Sequence, residues 1–221
     1  MNNIIKSWFT EKTGQYDNGI QSRLDAYLDL LIKEKKIRNI IGSDSEKVIV
    51  EDHMIPSLEL ALMINGTFGV DVGSGNGLPG IIISILRPNM QICLMESKES
   101  RVNFLGKVKK ELGIKNIIIL KTRAEEAGRN ENYREKFNFA TCRAVADLKI
   151  SCELILPLLT IDSIYYAQRG QNVGKDIENA GSIIKELGGT IENITGDNIV
   201  LVRKKNRTHQ KYPRKWKKII S

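Results

Sequence analysis

Ten residues constrain this chain more than any others: Asp71-Val72-Gly73-Ser74-Gly75-Asn76-Gly77-Leu78-Pro79-Gly80. They follow a short apolar run at 69–72 and lead into a helical stretch. Glycine is required where a backbone turns with positive φ, or where another group lies directly against the main chain. Proline fits the first helical position, because its missing N–H has no partner to lose there. A strand, a glycine-rich turn and a helix in that order are the first unit of an α/β fold. Taken alone, the pattern also describes an ordinary strand-to-helix turn.

The rest of the chain supports the α/β reading. Short apolar runs recur at 69–72, 91–95, 117–120, 137–142, 164–167 and 199–202, and helical stretches at 78–86, 100–112, 146–159 and 175–187 lie between them. Gly113 and Gly188-Gly189 sit where helices end in left-handed caps. Strands alternating with helices predict a mostly parallel central sheet covered on both faces. Upstream, Ile20, Leu24, Tyr27, Leu28 and Leu31 form one apolar stripe at helical spacing. A second helix is expected over 52–64, with Pro56 acceptable only near its first turn. The expected organisation is a helical extension over 1–65, a Rossmann-like domain over 66–202 and a basic tail over 203–221.

In such sheets ligands sit beyond the carboxyl ends of the strands, so the loops there carry the chemistry. The glycine loop reads in two registers. Gly75-x-Gly77-x-x-Gly80 fits the dinucleotide fingerprint, and Asp71-x-Gly73-x-Gly75-x-Gly77 fits the acid-led loop of class I S-adenosylmethionine-dependent methyltransferases. Glu96 ends the second strand, 19 positions after Gly77, where an acid accepts ribose hydroxyls in either register. The leading Asp71, the preceding helices and the lack of residues for a second substrate domain favour the methyltransferase register.

After the third strand comes Arg123-Ala124-Glu125-Glu126. A small residue followed by an acid lets an adenine ring lie flat while its amino group is accepted; acids also simply favour a helix start. After the fourth strand comes Cys142-Arg143-Ala144-Val145-Ala146, without the Asn/Asp-Pro-Pro-aromatic signature of enzymes that alkylate exocyclic amines. Cytosine-carbon methylation needs a cysteine nucleophile, and Cys142 is near the right place, although a strand-terminal cysteine is more often core. Guanine N7 needs neither device, because it attacks with an unshared pair and without deprotonation, so positioning suffices. Arg143 is the cation available to orient a carboxylate or a base, or to make a structural ion pair. His53, at a helix start, reads as a cap or packing residue.

Of 34 basic residues, nine fall between Arg203 and Ser221 with no acid among them, so the rest, against 26 acids, is close to neutral. A basic tail carrying Tyr212 and Trp216 suits a phosphate backbone with bases to stack on, and equally a solvated end. If it is a nucleic-acid hook, its removal weakens RNA binding and spares cofactor affinity. The three cysteines show no C-x-x-C spacing and read as reduced thiols, not metal ligands. No apolar run approaches the roughly 20 residues that cross a bilayer. The N-terminal sequence lacks signal-peptide features, so the expectation is a cytoplasmic protein with no membrane or metal partner.

Taken together, these segments resemble the bacterial 16S (small-subunit) ribosomal RNA guanine-N7 methyltransferases, a family once called glucose-inhibited division protein B. The resemblance rests on DVGSGNGLPG (71–80), KESRVNFL (98–105), RAEE (123–126), FNFATCRAVA (137–146), NIVLVR (198–203) and KYPRK (211–215). It implies methyl transfer from S-adenosyl-L-methionine to N7 of one guanine in 16S rRNA. It also implies cofactor contacts at Gly73, Gly75, Gly77, Leu78, Ala124, Glu125 and Arg143, with Glu96 near the ribose. Arg143 and Arg169 are the residues expected to position the base, the partner is 16S rRNA or the small ribosomal subunit, and the enzyme is expected to act as a monomer. The chain departs from the family in having Pro56 where an acid is usual, Arg169-Gly170 where Lys-Gly is usual, and Trp216-Lys217-Lys218 at the end of the tail.

Overall fold

The computed structural model describes residues 3–14, 17–38, 45–143, 146–169, 173–195 and 198–220. The expected site neighbours Ala144, Val145 and Gly170 lie outside them. Helices α1 (Asn3–Thr13), α2 (Asn18–Arg38), α3 (Glu46–Ile49) and α4 (Ile55–Met63) come first. Strands and helices then alternate: β1 (Phe68–Val72), α5 (Gly80–Leu86), β2 (Gln91–Glu96), α6 (Glu99–Glu111), β3 (Ile117–Lys121), α7 (Ala124–Ala127) and β4 (Phe137–Arg143). The rest of the fold is α8 (Leu148–Ile155), β5 (Leu159–Gln168), α9 (Val173–Glu186), β6 (Gly189–Thr195), β7 (Ile199–Lys204) and α10 (Trp216–Ile219).

The seven strands form one sheet in the order β3-β2-β1-β4-β5-β7-β6. Strands β1 to β5 run parallel, and β7 is antiparallel to both β5 and β6. Strand order therefore reverses between β1 and β4, which places the ligand crevice beyond Val72 and Arg143. Alternation along the strands divides the core in two. Ile92, Leu94 and Phe139 face α1, α2, α4, α5 and α6, whereas Cys93, Met95, Ala140 and Cys142 face α8 and α9. On β1 the first face is supplied by Gly69 and Asp71. A Cβ on Gly69 would lie 2.1 Å from the Phe139 ring, so this glycine is the slot into which the neighbouring strand inserts an aromatic.

Three elements differ from the sequence expectation. Strand β6 was not anticipated, because this edge strand is mostly exposed and lacks a clean apolar alternation. Pro157 ends the helical run of α8 in a 3-10 turn, and β5 begins at Leu159, five residues before the apolar run at 164–167. The helix expected to start at 52 instead begins at Glu46 and runs to Met63 through a π-turn at Val50–Met54, in which the Ile55 N–H donates to the Val50 carbonyl. Pro56 therefore sits inside a helical run. Lacking an N–H, it cannot donate back to the preceding turn.

The extension and the tail both pack onto the sheet. Ile5, Leu24, Tyr27, Leu31 and Leu58 share one core cluster with Ile81 and Leu94. Strand β7 runs away from the crevice and ends at Lys204, whose side chain is fully buried and donates to the Leu156 carbonyl at 2.7 Å. The segment after it turns back along the α8 side. Thr208 donates to Leu187 O at 2.7 Å, Tyr212 enters the core, and Trp216 reaches the crevice.

Candidate active site

The glycine loop is held from three sides. Gly73 and Ser74 donate their N–H groups to the Met95 carbonyl at 2.9 and 3.1 Å, which pins the loop to the end of β2. Gly73, Gly75 and Gly77 have φ of +71°, +56° and +94°, so all three occupy the left-handed region. The reasons for glycine differ. A Cβ at Gly77 would strike Ile81 at 2.4 Å and one at Gly80 would strike Leu94 at 2.3 Å, whereas at Gly75 nothing lies closer than 3.7 Å. Gly80 therefore serves packing, Gly75 the turn, and Gly77 both. Pro79 is not the first helical residue but caps α5 from one position before it.

Asp71 organises the interior of the loop. Its carboxylate accepts from the Gly80 N–H and the Thr141 hydroxyl, both at 3.1 Å, and Ser74 donates to its carbonyl at 2.7 Å. Burial raises its pKa to about 6 despite these hydrogen bonds. From the N-terminal side, the buried Tyr27 hydroxyl donates to the Asn76 carbonyl at 2.7 Å, a contact that no local pattern announces.

Glu96 stands where sequence placed it, at the end of β2, and braces the loop. One carboxylate oxygen accepts the Ser97 and Lys98 N–H groups, both at 2.8 Å. The other accepts the Gly75 N–H at 3.0 Å and a longer contact from Arg101 at 3.5 Å. Beside it opens a pocket lined by Gly73, Glu96, Ala124, Glu125, Leu154 and Trp216. The structure thus brings together four of the expected cofactor-binding residues. Glu125 is held by Arg123, which donates to it at 2.7 Å, and the Arg123 guanidinium lies 5.7 Å from the Trp216 ring centroid. Trp216 was expected among the bases of a nucleic acid, and here it walls the pocket.

Arg143 leaves β4 on the face shared with Asp71 and Thr141. Its guanidinium donates to the Asp52 carbonyl at 3.2 Å and the His53 carbonyl at 3.4 Å, and contacts His53 Nδ1. A strand-end arginine thus takes up carbonyls of the π-turn. His53 is a packing partner of this arginine, and its pKa is lowered by burial and then by the cation. Burial also lowers the pKa of Arg143 itself. Arg169 follows β5, and its side chain donates to one Asp176 oxygen at 2.8 and 3.1 Å, so in this structure it is engaged by α9. Cys142 lies on the other face of β4, buried in the α8 and α9 core and turned away from Arg143. That orientation does not serve a nucleophile at the crevice.

The basic tail is largely committed within the molecule. Arg214 donates to the buried Glu153 carboxylate at 2.7 and 2.9 Å, and Arg203, Lys205, Arg207 and Lys211 meet Glu192, Asp162, Glu135 and Glu186. With the buried Lys204, these account for six of the nine cations, whereas Lys215 and Lys217 are exposed. Among the described residues no cluster of histidine, cysteine or acid side chains can hold a metal ion, and no helix is long and apolar enough to cross a membrane.

Comparison with known proteins agrees with this fold. The family model described as rRNA small subunit methyltransferase G matches residues 20–197. The ribosomal RNA small subunit methyltransferase G of Desulforamulus reducens is 35% identical over 206 residues, 86% of this chain and 85% of that protein. The protein of the same name from Caldicellulosiruptor bescii is 31% identical, over 91% of each chain. Among solved structures, a SAM dependent methyltransferase from Aquifex aeolicus superposes with a TM-score of 0.52 at 14% identity, covering 71% of this chain and 93% of that one. M. jannaschii TYW2 in complex with AdoMet gives 0.55 at 12%, covering 69% and 73%. At these identities the structures establish the shared fold.

Proposed function

The chain belongs to the rRNA small subunit methyltransferase G family, and on that premise we propose that it transfers a methyl group from S-adenosyl-L-methionine to N7 of a guanine in 16S rRNA. The observation that carries this reading is the pocket between the glycine loop, Glu96 and Ala124-Glu125, at the carboxyl ends of β1, β2 and β3. Its residues fit an adenosyl compound. Glu96 braces the loop with three backbone hydrogen bonds, and a ribose hydroxyl can take the place of the long Arg101 contact. Ala124 offers a small surface to a purine, with the Glu125 carboxylate beside it. When bound, the cofactor supplies an electrophilic methyl on a sulfonium.

The protein's part is then positioning and charge. Arg143 is fixed by the Asp52 and His53 carbonyls at the end of β4, where it holds a carboxylate or the base edge in place. Arg169 reaches the same base once it leaves Asp176. N7 carries its own electron pair, so no residue has to remove a proton before attack. The exposed Lys215 and Lys217 hold rRNA phosphates. The enzyme works as a cytoplasmic monomer on 16S rRNA or the small subunit.

The test is transfer of labelled methyl to small-subunit rRNA lacking its native methyl groups, followed by digestion to nucleosides. Label in 7-methylguanosine is the expected result, and label in another nucleoside overturns the base assignment. Gly73→Asp should abolish cofactor binding in calorimetry, and an unchanged affinity would sink the loop assignment.

A further inference from the structure

We propose that Trp216 is a cofactor-contacting residue, its indole forming the aromatic wall against which the purine of the adenosyl group stacks. This rests on the cofactor reading above and assigns the C-terminal segment a part in that site. Four observations carry it. Trp216 lines the same pocket as Gly73, Glu96 and Ala124. Its ring lies beside the Arg123 guanidinium, which places it on the β3 side of the pocket with Ala124-Glu125. The indole is half-buried, so one part packs on the protein while another remains available to a ligand. Arg123, itself tied to Glu125, stations a cation against the ring and fixes its orientation.

The approach of this segment is built, not incidental. Tyr212 and Ile219 are buried on either side of the tryptophan. Arg134 donates to the carbonyls of Gly128, Thr208 and Tyr212 at 2.7, 2.6 and 2.8 Å, and Arg129 donates to the Pro213 carbonyl at 2.7 Å. A Cβ on Gly128 would meet Pro213 at 2.8 Å, so this glycine lets the strap lie flat against α7. Arg214 then clamps Glu153 on α8, two residues before the indole. Such anchoring holds an aromatic ring in place before a ligand arrives, which lowers the entropy lost on binding. Stacking on an indole is indifferent to which purine substituents are present, so Trp216 contributes affinity and leaves selection to Glu125 and Glu96.

The measurement is a calorimetric and fluorescence titration of the full chain with S-adenosylhomocysteine. Base–aromatic stacking predicts that Trp216→Ala raises Kd roughly five- to fifty-fold, with Trp216→Phe between it and the unaltered chain. Tryptophan emission should change on titration in the unaltered chain and stay flat in Trp216→Phe, which retains Trp8 as an internal control. An unchanged melting temperature in Trp216→Phe separates a lost contact from a lost fold. Equal Kd in the unaltered chain and both variants would overturn the assignment while leaving the cofactor reading intact. No binding by the unaltered chain would overturn both.

Discussion

The N-terminal helices and the C-terminal segment cover opposite faces of one sheet, and they do so with different chemistry. The helices contribute Ile5, Leu24, Leu28, Leu31 and Leu58 to a contiguous apolar core, with the Tyr27 hydroxyl as their main polar reach into the glycine loop. The C-terminal segment adds only Tyr212, Ile219 and part of Trp216, and is otherwise tied down by cations given to carbonyls and carboxylates. Apolar helices announce themselves in sequence through periodicity. A strap held by charge looks, in sequence, like a solvated basic tail. The lesson is that a run of cations states what a segment carries, not what it faces.

Four changes test this difference. Deleting residues 205–221 should have the largest effect. It removes Tyr212 and Ile219, roughly 1.5–3 kcal/mol each, and exposes the face they cover, so the loss approaches the whole stability of a domain of this size. Thermal denaturation of the shortened chain should show an early or non-cooperative transition together with lost cofactor affinity. A wild-type melt would restore the view of a detachable tail. Next, Leu31→Ala should cost about 2–5 kcal/mol in urea unfolding, as for any large-to-small core change. A cost under about 1 kcal/mol, the range of ordinary surface positions, would show that the extension docks without sharing the core.

Glu153→Gln should follow at about 2 kcal/mol, the scale of hydrogen bonds to a charged group, because it halves the clamp on Arg214. It should also weaken cofactor binding through Trp216, and a stability loss with unaltered Kd would uncouple strap from pocket. The smallest effect is on the slope of stability with pH. Burial lowers the Lys204 pKa to about 8 from its ordinary 10.5. Between those values the folded protein gives up a proton that the unfolded chain keeps, so this group adds stability as pH rises, by up to about 1 kcal/mol per pH unit. Unfolding midpoints from pH 7.5 to 10 should show that increment in the unaltered chain relative to Lys204→Met. Parallel curves would mean that the ammonium is not desolvated.

Much of the parallel sheet was legible because strand and helix periodicities differ and because Gly73, Glu96 and Ala124-Glu125 fall at strand ends that parallel topology brings together. What could not be read depends on long-range returns. Tyr27 meets Asn76, Arg143 meets Asp52, and Trp216 meets Arg123, pairings separated by dozens of residues and signalled by no spacing. Strand β6 was hidden for another reason, since an exposed edge strand needs no apolar face. Arg169 was rightly placed at the end of β5, yet only the fold brings Asp176 to it.

The π-turn before Pro56 also fixes what kind of change this region tolerates. A helix face is a matter of phase, and an i→i+5 turn holds one residue more than its neighbours. Removing one residue from Val50–Met54 would let this turn close as an ordinary i→i+4 turn, with Glu46–Ile49 and α4 keeping their present faces. Ile49 and Leu58 would stay in the core, while the Asp52 carbonyl, which the wider turn presents to Arg143, would move away from it. The extra residue therefore serves the arginine at the strand end and not the packing of the helix.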